Sequence, residues 1–182
     1  RAVEFATMWI ERRFSEVLRH TVTKRPAVLV TGARQTGKSS LLTRCYPDYA
    51  YVSLDLPSEA ARAEHDPGAF LSAWPQPVIV DEVQYAPALF RHLKVAIDRD
   101  RQARGQFLLT GSQPLALMER VSESLAGRIA VLNLETLAWP EVQRAYEHFG
   151  TTEFLLRGGY PELYEDLELN ASHFFASYVA TY

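Results

Sequence analysis

Eight residues, Gly32-Ala33-Arg34-Gln35-Thr36-Gly37-Lys38-Ser39, constrain this chain more than anything else in it. They complete the pattern G-x-x-x-x-G-K-[ST]. Before them runs Pro26-Ala27-Val28-Leu29-Val30-Thr31, apolar and β-branched, which predicts a buried strand. After them Ser40, Leu41, Leu42, Thr43 and Arg44 predict a helix ending before Pro47. Strand, glycine-rich turn and helix in that order form a phosphate-binding loop. Gly32 and Gly37 let the backbone turn and approach an anion without a Cβ in the way. Successive N–H groups at a helix start make a concave anion site. Lys38 is expected on the β- and γ-phosphates, the Ser39 hydroxyl on Mg²⁺, and Ala33, Arg34, Gln35, Thr36 and Ser40 around the same nucleotide.

A second apolar run, Pro77-Val78-Ile79-Val80-Asp81-Glu82, ends in two carboxylates. An unbroken apolar strand is one buried on both faces, and in an open parallel sheet its C-terminal end lies on the ligand side. Asp81 is there to hold Mg²⁺, and Glu82 to polarise an attacking water; the competing reading of Glu82 is a charge at a helix start. This second acid suits transfer to water, which must be oriented, more than transfer to a hydroxyl. Gln106-Phe107-Leu108-Leu109-Thr110-Gly111-Ser112 is a third core strand ending in small polar residues. Thr110 or Ser112 senses a γ-phosphate, or the segment is a turn with a helix cap before Pro114. Arg128, before the last strand, stabilises charge on the transferred group or is a surface residue; Arg34 is the second candidate for that role.

Strand-like runs at 27–31, 50–54, 77–81, 106–110 and 129–134 alternate with helical stretches, predicting a parallel sheet with helices on both faces. The final forty-odd residues lose the strand pattern and become helical and acidic. The expected division is a core over 1–136, opened by a helical segment 1–25, and a helical lid over 137–182. That lid ends without a stop signal, as a piece of a longer protein would. With 182 residues the chain can bury one sizeable core and part of a second.

A net charge of −3 gives no global argument for nucleic acid. Two basic runs are exceptions: Arg12, Arg13, Arg19, Lys24 and Arg25, and Arg91, Lys94, Arg99, Arg101 and Arg104. Each is a phosphate-binding face or, the preferred reading, a solvated helix face. The single Cys45 excludes an intrachain disulfide and suits a reducing, cytoplasmic setting. No apolar run is long enough to span a bilayer. The histidines show no metal-ligand spacing, and no G-x-S-x-G elbow is present.

Taken together, Arg34 to Ser39, Asp81-Glu82-Val83-Gln84, Leu109 to Ser112, Ser124-Leu125-Ala126-Gly127-Arg128 and Gly158-Gly159-Tyr160-Pro161-Glu162 resemble the prokaryotic ATPase family labelled AAA domain type 14. The resemblance implies an additional-strand P-loop fold of five parallel strands, ATP and Mg²⁺ as ligands, and a helical lid. It also implies that Pro161 belongs to a Gly-x-Pro lid element facing the nucleotide. Adenine is implied by the resemblance alone. Three functions follow from it: an ATPase driving or gating a conformational change; a regulatory switch with negligible turnover; and a DNA-linked motor or loader that needs a homo-oligomer or other partner.

Overall fold

The computed structural model describes residues 9–112 and 125–181. Contacts divide the chain into two compact units, Phe14–Leu134 and a second made of Glu135–Tyr182 with the segment before Phe14. Pro114 and Ser124, named above, lie outside the described residues.

The larger unit is built on five parallel strands. These are β1 (Ala27–Thr31), β2 (Ala50–Ser53), β3 (Val78–Asp81), β4 (Phe107–Gly111) and β5 (Ile129–Asn133), in the spatial order β2-β3-β4-β1-β5. β4 separates β1 from β3, the added strand that the resemblance implies. β1, β3 and β4 are buried at every position, which is why they read as apolar runs instead of alternating ones. β5, at the edge, is only half-buried. The register sets Thr31 beside Gly111 and Val30 beside Thr110, and pairs Ser53 with Asp81, so the polar C-terminal ends of four strands share one edge of the sheet.

The helices follow from local signals. α1 (Phe14–Val22) buries Leu18 and Val22. α2 (Lys38–Cys45) starts where Gly37 turns left-handed. α3 (Pro57–His65) and α4 (Pro67–Ala73) each begin on proline, whose missing N–H costs nothing there, and the Asp66 side chain accepts from Ala69 N–H at the start of α4. α5 (Leu89–Arg99) turns Leu89, Phe90, Leu93 and Ile97 inward, one helical face of the predicted period. They join Phe70, Phe107, Leu29 and Val80 in the main core. Each such side chain contributes about 1.5–3 kcal/mol when fully buried.

The second unit is helical: α6 (Trp139–Ala145), α7 (Thr151–Arg157), α8 (Glu162–Glu165) and α9 (Ala171–Thr181). Ile10, Leu137, Val142, Leu163, Tyr164 and Phe174 form its core. Arg12 and Glu141 form an ion pair at 3.4 Å, with both side chains only 5 % exposed. Arg12 also donates to the carbonyls of Glu135 and Thr136, while Glu141 accepts from the N–H groups of Arg13 and Ala138. Burial lowers the Arg12 pKa and the Glu141 carboxylate opposes that shift. Arg12 therefore does not belong to a solvated helix face: it precedes α1 and is sealed in this unit. Gly159 is packed so closely that a Cβ there would lie 2.3 Å from the Leu137 carbonyl oxygen.

Candidate functional site

The loop between β1 and α2 is shaped by three left-handed residues. Gly32 has φ 142°, Gln35 58° and Gly37 87°. At Gly32 an added Cβ would sit 2.2 Å from the Leu134 carbonyl oxygen, so no side chain fits. Thr36 is buried and its hydroxyl donates to the Ala33 carbonyl, bracing the turn. Lys38 is 5 % exposed and lies back across its own loop, with Nζ donating to the carbonyls of Gly32 (3.1 Å) and Ala33 (2.8 Å). Burial lowers its pKa; Glu82 and Asp81 pull the other way, and Arg34 adds to the lowering. Ala33 is half-buried, whereas Arg34 and Gln35 of the turn and Ser40 of α2 are exposed.

Asp81, at the end of β3, is buried and is the convergence point of three hydroxyls. Ser39 donates to Oδ1 at 2.6 Å, Tyr51 to Oδ2 at 3.0 Å, and Thr110 to Oδ1. Burial, and then the Asp81 charge, pushes the Tyr51 phenol up to about 12. Asp55 is also shifted upward, by burial first and then by Glu82 and Asp81, so this edge of the sheet concentrates negative charge. Ser39 and Asp81 set a hydroxyl and a carboxylate side by side beneath the loop. These are hard oxygen donors of the type Mg²⁺ takes from protein, and they fit that ion.

Glu82 is left-handed (φ 56°), and the chain turns there from β3 into a short 3₁₀ turn, Val83–Tyr85, that drives Val83 into the core. Its N–H donates to the Thr110 hydroxyl at 2.9 Å. Its Oε2 accepts from Ser112 at 3.0 Å and also from the Gln84 amide, which donates to Ser112 as well at 3.3 Å. The structure thus separates the two hydroxyls left open by the sequence. Thr110 is fully buried and ties Asp81 to the Glu82 backbone, whereas Ser112 touches the Glu82 carboxylate.

Lys38, Ser39, Asp81, Glu82 and Ser112 are thus brought to one edge of the sheet. Arg128 is not. It precedes Ile129, which pairs with Ala27 at the start of β1, so it lies at the opposite edge from the loop. There it grips Asp98 of α5 with Nε (2.8 Å) and Nη2 (2.9 Å). Arg128 first, then Arg101, holds the Asp98 carboxyl down at about 2. Within one chain Arg128 does not reach the phosphate loop, because a residue that precedes a strand of a parallel sheet lies at the end away from the ligand side. Pro161 opens α8 in the second unit.

Tyr51 and Gln84 were not singled out as site residues from sequence. Gln84 had a signal, its place two residues after Glu82. Tyr51 had none, because only the pairing of β2 with β3 brings its phenol to Asp81.

Comparisons with known proteins identify the family and the fold. The AAA domain family matches residues 24–143, well over half of the chain. An uncharacterized protein of Mycobacterium tuberculosis and another of Mycobacterium bovis are each 35% identical over 158 residues, 85% of this chain and 34% of the relative. The chain therefore spans about a third of the curated relatives it matches. Among solved structures, the Walker-type ATPase PABY2304 of Pyrococcus abyssi superposes with a TM-score of 0.58 at 17% identity, covering 86% of this chain and 66% of that one. AMPPCP-bound DnaA from Aquifex aeolicus gives 0.57 at 15% identity, with 86% and 61% covered. Both likenesses are of fold. No helix among the described residues is long and apolar enough to cross a membrane. With its phosphate loop, its buried Asp81 and its added central strand, this chain belongs to the AAA domain family of P-loop ATPases.

Proposed function

We propose that the chain binds ATP with Mg²⁺ and hydrolyses the β–γ phosphoanhydride bond, using the nucleotide to gate movement of its helical unit. The observation that carries this is the convergence of Lys38, Ser39, Asp81, Glu82 and Ser112 on one sheet edge. Lys38 exchanges the carbonyls of Gly32 and Ala33 for phosphate oxygens. Ser39 and Asp81 would hold Mg²⁺, which supplies neutralisation of the phosphate charge when bound. Glu82 orients a water and takes its proton as the water oxygen bonds to the γ-phosphorus and the bond to the β-phosphate oxygen breaks. Ser112 lies where it can report the γ-phosphate to Glu82. Arg128 can meet the transferred group only from a second copy of the chain.

A second reading rests on one observation: both Gln84 and Ser112 already engage the Glu82 carboxylate. With Oε2 occupied, Glu82 has only Oε1 left to offer a water, and a chain whose Oε1 does not meet the attacking water acts as a nucleotide switch with negligible turnover.

Phosphate release and bound nucleotide, measured on wild type, Lys38→Ala and Glu82→Gln, separate the two. Hydrolysis predicts turnover in wild type, binding without turnover in Glu82→Gln, and no binding in Lys38→Ala. Equal turnover in wild type and Glu82→Gln sinks the catalytic assignment. Bound nucleotide with no turnover in wild type selects the switch.

A further inference from the structure

The ends of the two basic runs, Lys24-Arg25 and Arg101 with Arg104, about eighty residues apart in sequence, meet in space at the edge of the sheet away from the nucleotide site. A cavity of about 350 Å³ is lined by Lys24, Arg25, Arg101, Arg104 and Arg128, with no carboxylate among its lining residues. Lys24 and Arg25 follow α1, Arg101 and Arg104 follow α5, and Arg128 precedes β5. Topology gathers them, because each sits in a loop at the N-terminal end of a parallel strand. Asp98 satisfies Arg101 and Arg128. Lys24 and Arg25 carry no ion pair among the described residues, and Arg104 donates only to the carbonyls of Arg101 and Ala103. Gly127, on the cavity wall, is left-handed and has open space where a Cβ would be.

Arg104 also lines a second cavity, of about 480 Å³, together with Arg99 and Tyr49. The carboxylate of that cavity, Asp100, is occupied by the N–H groups of Gln102 and Ala103. The basic surface is therefore a track that runs past the starts of β3, β4, β1 and β5. Two features bear on the kind of anion that would suit it. Lys24, Arg25, Arg99, Arg101 and Arg104 are exposed on flexible stems and Arg128 is half-buried, unlike the enclosed N–H cradle that holds a single phosphate. They also line two adjoining hollows, so they suit an anion that repeats along a chain.

We propose that this track binds the phosphodiester backbone of DNA, at the sheet edge opposite the nucleotide site and independently of base sequence. The five residues of β1 put the two edges about 16 Å apart at about 3.3 Å per residue.

The test is fluorescence anisotropy of a short labelled DNA duplex, and of its single strand, titrated with the chain in the absence of nucleotide. Failure of the ATPase reading leaves this measurement untouched. Lys24→Glu/Arg25→Glu/Arg104→Glu is compared with Arg91→Glu/Lys94→Glu/Arg44→Glu, which reverses as many charges elsewhere. Wild type is expected to bind with a steep salt dependence between about 50 and 200 mM. The track variant should bind roughly tenfold or more weakly, with a log–log salt slope shallower by about 2 to 3, while the control stays within about twofold. Circular dichroism of the variants, and the neutral variant Lys24→Gln/Arg25→Gln/Arg104→Gln, separate lost contacts from lost folding. No binding by wild type at low salt, or equal loss in both variants, overturns the proposal. So does a track variant that keeps DNA affinity but loses ATP-dependent self-association in sedimentation, which would assign the surface to a second copy.

Discussion

Removing the Gln84 amide should raise ATP turnover. The Glu82 carboxylate accepts from two donors, Gln84 and Ser112, both at Oε2, and to orient water through that oxygen it must be released from at least one of them. A hydrogen bond to a charged group contributes about 1.5–3 kcal/mol. Gln84 and Glu82 are both half-buried, so solvent competes for these groups and the low end applies. About 1.4 kcal/mol corresponds to tenfold in an equilibrium. Gln84→Ala should thus raise the population of released Glu82 about tenfold, with Ser112 still holding at 3.0 Å. If release limits the reaction, kcat rises by that factor while KM for ATP changes little, because Gln84 touches neither Lys38 nor Ser39 and its 3.3 Å bond to Ser112 is the longer of its two. The assay is steady-state phosphate release with Mg²⁺, with Gln84→Ala/Glu82→Gln as the control that must stay inactive. A fall in kcat for Gln84→Ala refutes the reasoning and makes Gln84 a group that positions Glu82 for catalysis.

Other perturbations follow from the same contacts. Gly32→Ala forces a Cβ against the Leu134 carbonyl at a left-handed position, and should lower stability of the larger unit by about 3 kcal/mol in urea denaturation; an unchanged midpoint would contradict the packing described. Glu141→Ala removes the buried carboxylate that pairs with Arg12 and accepts from the N–H groups of Arg13 and Ala138, and should cost about 3–5 kcal/mol by the same measurement, far more than removal of an exposed pair such as Arg62 with Glu59. The Tyr51 phenol, raised from about 10 to about 12, binds its proton more tightly folded than unfolded. Its contribution to stability is therefore present below about pH 10 and lost as pH rises through about 12. Ultraviolet titration of phenolate should show Tyr51→Phe missing one late-titrating group beside those of Tyr46 and Tyr164.

The strands and the phosphate loop were legible because their physics is local. A strand buried on both faces must be apolar throughout, and a loop that cradles phosphate needs glycine at Gly32 and Gly37 whatever surrounds it. Asp81 and Glu82 were legible for a related reason, since two acids ending an apolar run have few other uses. What stayed hidden depends on which strands pair. Thr110 and Ser112 look alike in sequence, and only the register that sets β4 beside β3 gives one to Asp81 and the other to Glu82. The same holds for Tyr51. Arg12 reads as part of a basic helix face because Glu141, which neutralises it, is more than a hundred residues away. Arg128 is a different case: its motif marks it as special, yet its position before a strand of a parallel sheet already set it at the end away from the phosphate loop, as the pairing of β5 with β1 shows.

Lys38 folded back onto the carbonyls of Gly32 and Ala33 has a consequence for what can enter the loop. Any ligand must first take the ammonium away from two acceptors, each bond contributing about 1.5–3 kcal/mol. A neutral molecule offers nothing comparable in exchange and is turned away. A polyphosphate offers oxygens of greater negative charge, so the exchange runs downhill for it alone. On the proposed reading, the lysine that meets the phosphates thus also competes with them for its own loop. A nucleoside or an uncharged metabolite would then be refused before shape or base identity is tested.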